Sequence, residues 1–251
     1  MKSQLRALAL PLTALLLLEA YARTMGQESE TIVPVTQAAK DLWSTAQDGT
    51  LLRATGFTLL SASAGLLVGG GAGISLGIIL GLSKSLAHAM SLTVELLRPL
   101  PSIALVPLAT LMFGLGLKME ILVVAFATFW PMLIMTQSAI RQVDGRLMEV
   151  ARMLRFGFLQ RVWKFVIPSI VPRLFVALRV GAGLALVVAV TVEVVGNTLG
   201  LGYGLVLSQQ NIQPGITLGW LFWVGALGFS VNFGLAWIES RAVGKFLGRA
   251  R

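Results

Sequence analysis

The chain has 251 residues, 56% of them hydrophobic and 12% charged, with 20 Lys and Arg against 11 Asp and Glu, a net charge of +9 and a mean hydropathy of +0.82. Soluble domains carry about 25% charged residues, so this composition excludes disorder and argues against a soluble globule. Cysteine is absent and His88 is the one histidine, which excludes disulfides, thiolate metal sites, His clusters and a choice of Ser-His partners.

Membrane-spanning helices need about 20 mostly apolar residues. Uncharged runs of 30 residues follow Arg53, 19 follow Arg98, 20 follow Glu120 and 45 follow Glu193. Backbone groups in lipid must be satisfied within their own segment, so these runs are helices. The pattern predicts an all-α polytopic membrane protein with about six transmembrane helices, near residues 5–22, 54–82, 102–117, 121–140, 174–195 and 216–238. Residues 1–53 form a first span with an extracytoplasmic loop. Residues 54–245 form the core with a cytoplasmic loop at 141–173, and 246–251 a tail. The first span also fits a cleaved signal peptide, with Ala20-Tyr21-Ala22 as the small-x-small site.

With the N-terminus inside, 15 Lys and Arg fall in cytoplasmic segments and four outside, with Arg179 within a span. This places both termini in the cytoplasm. The cations lie in connections between spans, so no nucleic-acid partner is expected. His88 belongs to a solvated cytoplasmic loop on this reading.

The 141–173 loop is longer than a helix connection needs. Met148, Ala151, Leu154 and Phe158 repeat at helical spacing from a start at Glu149-Val150-Ala151-Arg152. Gly157 interrupts that helix, and Ile167-Pro168 is expected to stop a second amphipathic stretch, because proline lacks a donor and clashes with a preceding carbonyl. The plain reading is a basic loop held at lipid headgroups. A defined glycine turn and an acidic helix start fit that less well.

Glu149-Val150-Ala151, Gly157 and Ile167-Pro168 resemble the EAA loop of ABC importer permeases, whose usual form is Glu-Ala-Ala, three residues, Gly, nine residues, Ile-x-Leu-Pro. On this alignment Gly157 is the motif glycine and Ile167 takes the Leu place. The runs Glu95–Pro101, Pro107-Leu108 and Phe113–Gly116 are similar to the nitrate/sulfonate/taurine subgroup. So are Leu178–Gly181, Glu193 and Gly200–Gly204, and Leu18-Glu19 matches a first span that the subgroup retains. Ser61 stands where that subgroup commonly has arginine.

The resemblance implies the type I ABC importer permease fold in the cell inner membrane. It implies a second permease copy, two ATPase subunits that hold the ATP, a periplasmic solute-binding protein and contact with membrane lipid. It places the ATPase coupling at Glu149, Val150, Ala151, Arg152, Gly157, Ile167 and Pro168, and it implies a small anionic solute such as a sulfonate, nitrate, taurine or related organic acid. No cofactor, metal or catalytic residue is expected in the chain, which is read as a transport subunit and not an enzyme. Ala151 is expected on the contact side of its helix, Gly157 at a tight turn. Glu149→Lys or a bulky residue at Gly157 is expected to abolish transport and spare membrane insertion.

The glycine run 69–81 lacks the lysine of a phosphate-binding loop, and Gly69, Gly73 and Gly77 mark one helix face, which favours packing. Arg179 and Glu193 are the candidates for pathway or gate, since intramembrane charges are costly. At 14 residues apart on one helix, about 21 Å, they cannot pair. Gly114, Gly116, Gly200, Gly202 and Gly204 are expected at bends. The rival readings are a stand-alone secondary transporter, which predicts inverted repeats and mid-span carboxylates, and a membrane enzyme, which predicts a convergent acid, base or nucleophile. No such repeat, mid-span carboxylate or constellation stands out.

Overall fold

The structure is a computed structural model and describes residues 2–24 and 32–248. Its described residues form helices and no strand: α1 (Lys2–Thr24), α2 (Val35–Gln47), α3 (Thr50–Leu82), α4 (Lys84–Leu97), α5 (Val106–Phe113), α6 (Leu117–Arg141), α7 (Gly145–Met153), α8 (Phe158–Arg161), α9 (Ile167–Gly196), α10 (Leu201–Gln210) and α11 (Pro214–Gly248). The last three residues of the expected tail lie outside the described part, as do most side chains in the first half of α1.

Among the described residues, four helical stretches are long and apolar enough to cross a membrane: Thr50–Leu82, Leu117–Arg141, Phe158–Gln210 and Pro214–Arg241. A fifth is a bent pair, Lys84–Leu97 with Ser102–Phe113, which turns through 81°. The third expected span is therefore half of a broken element. Pro99 and Pro101 interrupt it, and α4 occupies the segment read as a loop, with His88 exposed on a helix rather than in a connection.

Two further expectations change. Pro168 does not end its helix. The chain widens into one π-helical turn at Val162–Val166 and continues into α9. A π turn shifts the hydrogen-bond ladder, which accommodates the missing proline donor. The uncharged stretch after Glu193 holds α10, so Gly202 and Gly204 are helical while Gly114, Gly116 and Gly200 have positive φ.

The chain divides into two compact units. The first is Met1–Thr58 with Glu193–Leu227. Its core is Leu51, Leu201 and Trp220, and the Trp223 indole donates to the Thr55 hydroxyl at 2.8 Å. Asp48 Oδ1 accepts the Thr50 N–H at 2.8 Å at the start of α3. That backbone hydrogen bond, with the Arg53 charge nearby, holds the Asp48 carboxyl below its ordinary pKa.

The second unit is Leu59–Val192 with Gly228–Arg251. Its main core joins Ala62, Val106, Ala109, Met119, Val123 and Val124 to Ala185, Val188, Ala189 and Val192. A second cluster packs Ala139, Ile140, Val166 and Ile170, which seats the π turn against α6. Glu120, used as a span boundary in the sequence, is wholly buried in the first turn of α6 and bonded to the Ser61 hydroxyl. That bond satisfies a polar group that would otherwise be costly to bury.

Candidate functional site

The segment between α6 and α9 is built from Asp144 onward. Asp144 Oδ1 accepts the Arg146 N–H at 2.9 Å and its carbonyl accepts the Leu147 N–H at 3.1 Å, so it caps α7. The helix starts earlier than the expected opening at Glu149. The signal for this was present, a capping-type residue ahead of apolar periodicity.

Ala151 is wholly buried within its own chain, which corrects its expected place on the contact side. The exposed side of α7 carries Leu147 and Val150, continued by Leu154, with Glu149 also exposed. The backbone of Arg152 lies in α7, and its side chain is outside the described residues.

The end of α7 moves the expected turn. The Phe156 N–H donates to the Ala151 carbonyl at 3.1 Å, a six-residue closure typical of helix C-termini. The left-handed residue in that closure is Arg155, with φ 54°. Gly157 has φ −64° and ψ 163°, backbone that any residue adopts, and a Cβ there would meet nothing within 4 Å. Three residues separate Ala151 from Arg155, which puts Arg155 where the motif has its glycine. Counted from Arg155, Phe165, Ile167 and Pro168 take the motif's Ile, Leu and Pro places. The motif glycine is thus replaced by arginine at a position that favours glycine.

Arg155→Gly is expected to raise unfolding stability by about 1 kcal/mol, by relieving left-handed strain on a non-glycine residue. Gly157→Ala is expected to leave stability within about 0.5 kcal/mol. Thermal unfolding of the detergent-purified chain measures both, and the reverse ranking would return the turn to Gly157.

Beyond the turn, the Phe156 ring packs on Phe165 at 5.6 Å, with Lys164 Nζ 5.0 Å from its centroid. Ile167 packs on the cluster that holds Ile140 and Ile170. The EAA-type residues therefore divide, with Glu149 and Val150 exposed and Ala151 and Ile167 packed inward.

The two span charges lie in different units and neither is isolated. Arg179 Nε donates to Asn232 Oδ1 at 2.8 Å, and its guanidinium lies 3.7 Å from the Glu239 carboxylate. It ties α9 to α11 through residues seven apart on one face, a partnership that the sequence reading missed. Glu193 is 1% exposed and accepts the Thr58 hydroxyl at 2.6 Å and the Gly202 N–H at 2.8 Å. Among the described residues, no group of three His, Cys, Asp or Glu is placed to hold a metal ion.

Long apolar helices, a bent apolar pair and a capped amphipathic helix between two of the long helices define a polytopic helical membrane protein. Residues 73–243 match the model of the binding-protein-dependent transport system inner membrane component, and the chain belongs to that family. It is 35% identical over 121 residues to the aliphatic sulfonates transport permease protein SsuC of Bacillus subtilis (strain 168), whose own assignment is provisional; the match covers 48% of this chain and 44% of that one. It is 31% identical over 159 residues to the nitrate import permease protein NrtB of Synechococcus elongatus (strain ATCC 33912 / PCC 7942 / FACHB-805), covering 62% and 57%. The chain spans about half the length of the curated relatives it matches.

In fold it is similar to a chain of the inward-facing MetNI methionine ABC transporter in its CY5 native crystal form. The TM-score is 0.69 at 20% identity, with 79% of this chain and 98% of that one covered. The fold is the type I importer permease fold.

Proposed function

We propose that the chain forms the translocation pathway of an ATP-driven importer for a small anion, sulfonate-like or nitrate-like. The observation that carries this is the Asp144-capped α7, which stands between two spans with Leu147, Val150, Leu154 and Glu149 exposed. An exposed apolar stripe with an acidic neighbour is a docking face. The partner that fits it is a separate ATPase subunit, and ATP belongs to that subunit. Glu149 and Val150 touch the ATPase, Arg152 borders it, Ala151 and Ile167 hold the helix on its base, and Gly157 with Pro168 joins it to α9.

A second copy of the chain completes the pathway, and an extracytoplasmic binding protein delivers the solute. The chain sits in the inner membrane, in lipid, with both termini cytoplasmic by the charge balance of its connections. Arg179 and Glu193 serve this architecture as ties between segments and not as the gate.

The test is reconstitution with the ATPase and binding protein, with taurine, butanesulfonate and nitrate as probes. Uptake of at least one is expected to require ATP. Glu149→Lys is expected to cut uptake about tenfold or more while leaving insertion intact, because a reversed charge opposes the docked partner. Gradient-driven uptake by the chain without ATPase would instead establish a secondary transporter.

A further inference from the structure

Beside the break between α4 and α5, within the second unit, lies a cavity of about 360 Å³. That is within the size range of small-molecule sites. Arg98, Ser102 and Trp130 supply its polar side chains, and Phe126, Met135 and Leu184 belong to its apolar wall. Three features set it apart.

Arg98 sits at the elbow of the 81° bend. Its guanidinium makes no ion pair or side-chain hydrogen bond with any described residue.

Trp130 is 8% exposed, and its indole N–H is buried with no acceptor among the described residues. Buried indole N–H groups ordinarily find a partner, and this orphan belongs to a residue that lines the cavity. The ring is fixed by edge contacts to Phe126 at 5.8 Å and Phe129 at 4.8 Å. The donor is thus held in place, which favours binding over a floppy surface contact.

Every polar side chain of this wall donates hydrogen bonds, and the one charge is positive. An anion fits, and a cation does not. The apolar remainder fits a hydrocarbon part. We propose that this cavity is a binding station for a small organic anion with an oxyanion head, gripped by Arg98 and the Trp130 N–H, with its apolar part against Phe126, Met135 and Leu184. The assignment rests on the reading of the chain as an anion importer and names residues within that pathway. A lipid headgroup shares the oxyanion chemistry, and the experiment separates the two.

The chain contains no cysteine, so Ser102→Cys creates a single thiol at the cavity. The assembled transporter, with its ATPase, is placed in phosphatidylcholine vesicles and treated with two thiosulfonate reagents, one bearing a sulfonate and one a trimethylammonium. The thiolate attacks the sulfenyl sulfur, forms a mixed disulfide and releases methanesulfinate. The anionic reagent is expected to react roughly tenfold faster, because a local cation concentrates anions. Arg98→Gln should abolish that preference, and Arg98→Lys should keep part of it. Butanesulfonate should slow labelling, and Trp130→Phe, which keeps a ring and removes the N–H, should weaken that protection by about tenfold.

Equal rates for the two reagents, a preference that survives Arg98→Gln, or no protection by butanesulfonate would each overturn the station. Protection that arises only when phosphatidylglycerol is added would assign the cavity to a headgroup instead, and also overturns it. The importer reading is scored separately by ATP-dependent uptake: labelling preference without such uptake sinks that reading alone, and uptake without the preference sinks the station alone.

Discussion

Gly69→Leu is expected to destabilise the chain by about 3 kcal/mol or more, since overpacking against backbone cannot be relieved by a side-chain rotation. A Cβ at Gly69 would overlap the backbone of Ala125, and one at Gly73 would come within 2.5 Å of the Phe129 carbonyl oxygen. At Gly77 it would lie 2.7 Å from the Leu133 carbonyl oxygen, and at Gly81 2.8 Å from Ile140 Cβ. These positions repeat every four residues along α3, and their partners advance along α6 from Ala125 to Ile140. Small residues let two helix backbones approach where lipid offers no hydrophobic drive for association. Gly71 is the internal control. It is exposed, and a Cβ there meets nothing within 4 Å. Gly71→Leu should leave the unfolding midpoint and the yield of monodisperse protein in detergent unchanged. If Gly69→Leu behaved the same way, the close α3–α6 contact would not exist in the folded chain.

That glycine face was legible from the amino acids because a four-residue repeat in an apolar run has few other uses. The spans were legible for a similar reason, as uncharged runs of lipid-crossing length are rare by chance. What escaped was structure that charge cannot report. Lys84, Glu95 and Arg98 cut the apolar count and disguised α4 as a connection, although its Ser83 side chain accepts the Leu86 N–H in ordinary capping geometry. The opposite failure hid α10. No charge falls between Glu193 and Glu239, so although glycine marked the break at Gly200, nothing marked the helix beyond it or the turn at Asn211.

The surface segment failed at one position in an instructive way. A glycine was sought for the turn and Gly157 supplied it, yet hydrogen bonding selects Arg155, two residues earlier. Spacing from Ala151 carried the right answer, and residue type pulled against it. The π turn could not have been read at all. It depends on Val166 and Ile170 reaching Ala139 and Ile140, a tertiary contact with no local signature.

Glu193→Ala is expected to cost roughly 2–6 kcal/mol, from two buried donors that lose their acceptor at about 1–3 kcal/mol each. The carboxyl group takes the Thr58 hydroxyl at 2.6 Å and the Gly202 N–H at 2.8 Å, and Thr58 in turn accepts the Leu201 N–H at 3.0 Å. The first two amides of α10, which have no partner within their own helix, are thereby satisfied by α9 and α3. Gly200 completes the arrangement: its φ is 94°, and a Cβ there would overlap the Glu193 carboxyl group. Gly200→Ala should therefore match or exceed the loss at Glu193→Ala, through both strain and collision. Glu193→Gln separates a clasp from a gate. Its amide oxygen can accept one of the two donors, so a clasp predicts intermediate stability and faster exchange of the Leu201 and Gly202 amides with deuterium. A gate residue that recognises solute would instead lose uptake at unchanged stability. Unaltered unfolding and exchange in both Glu193→Ala and Gly200→Ala would show that this buried carboxyl group does not hold α10.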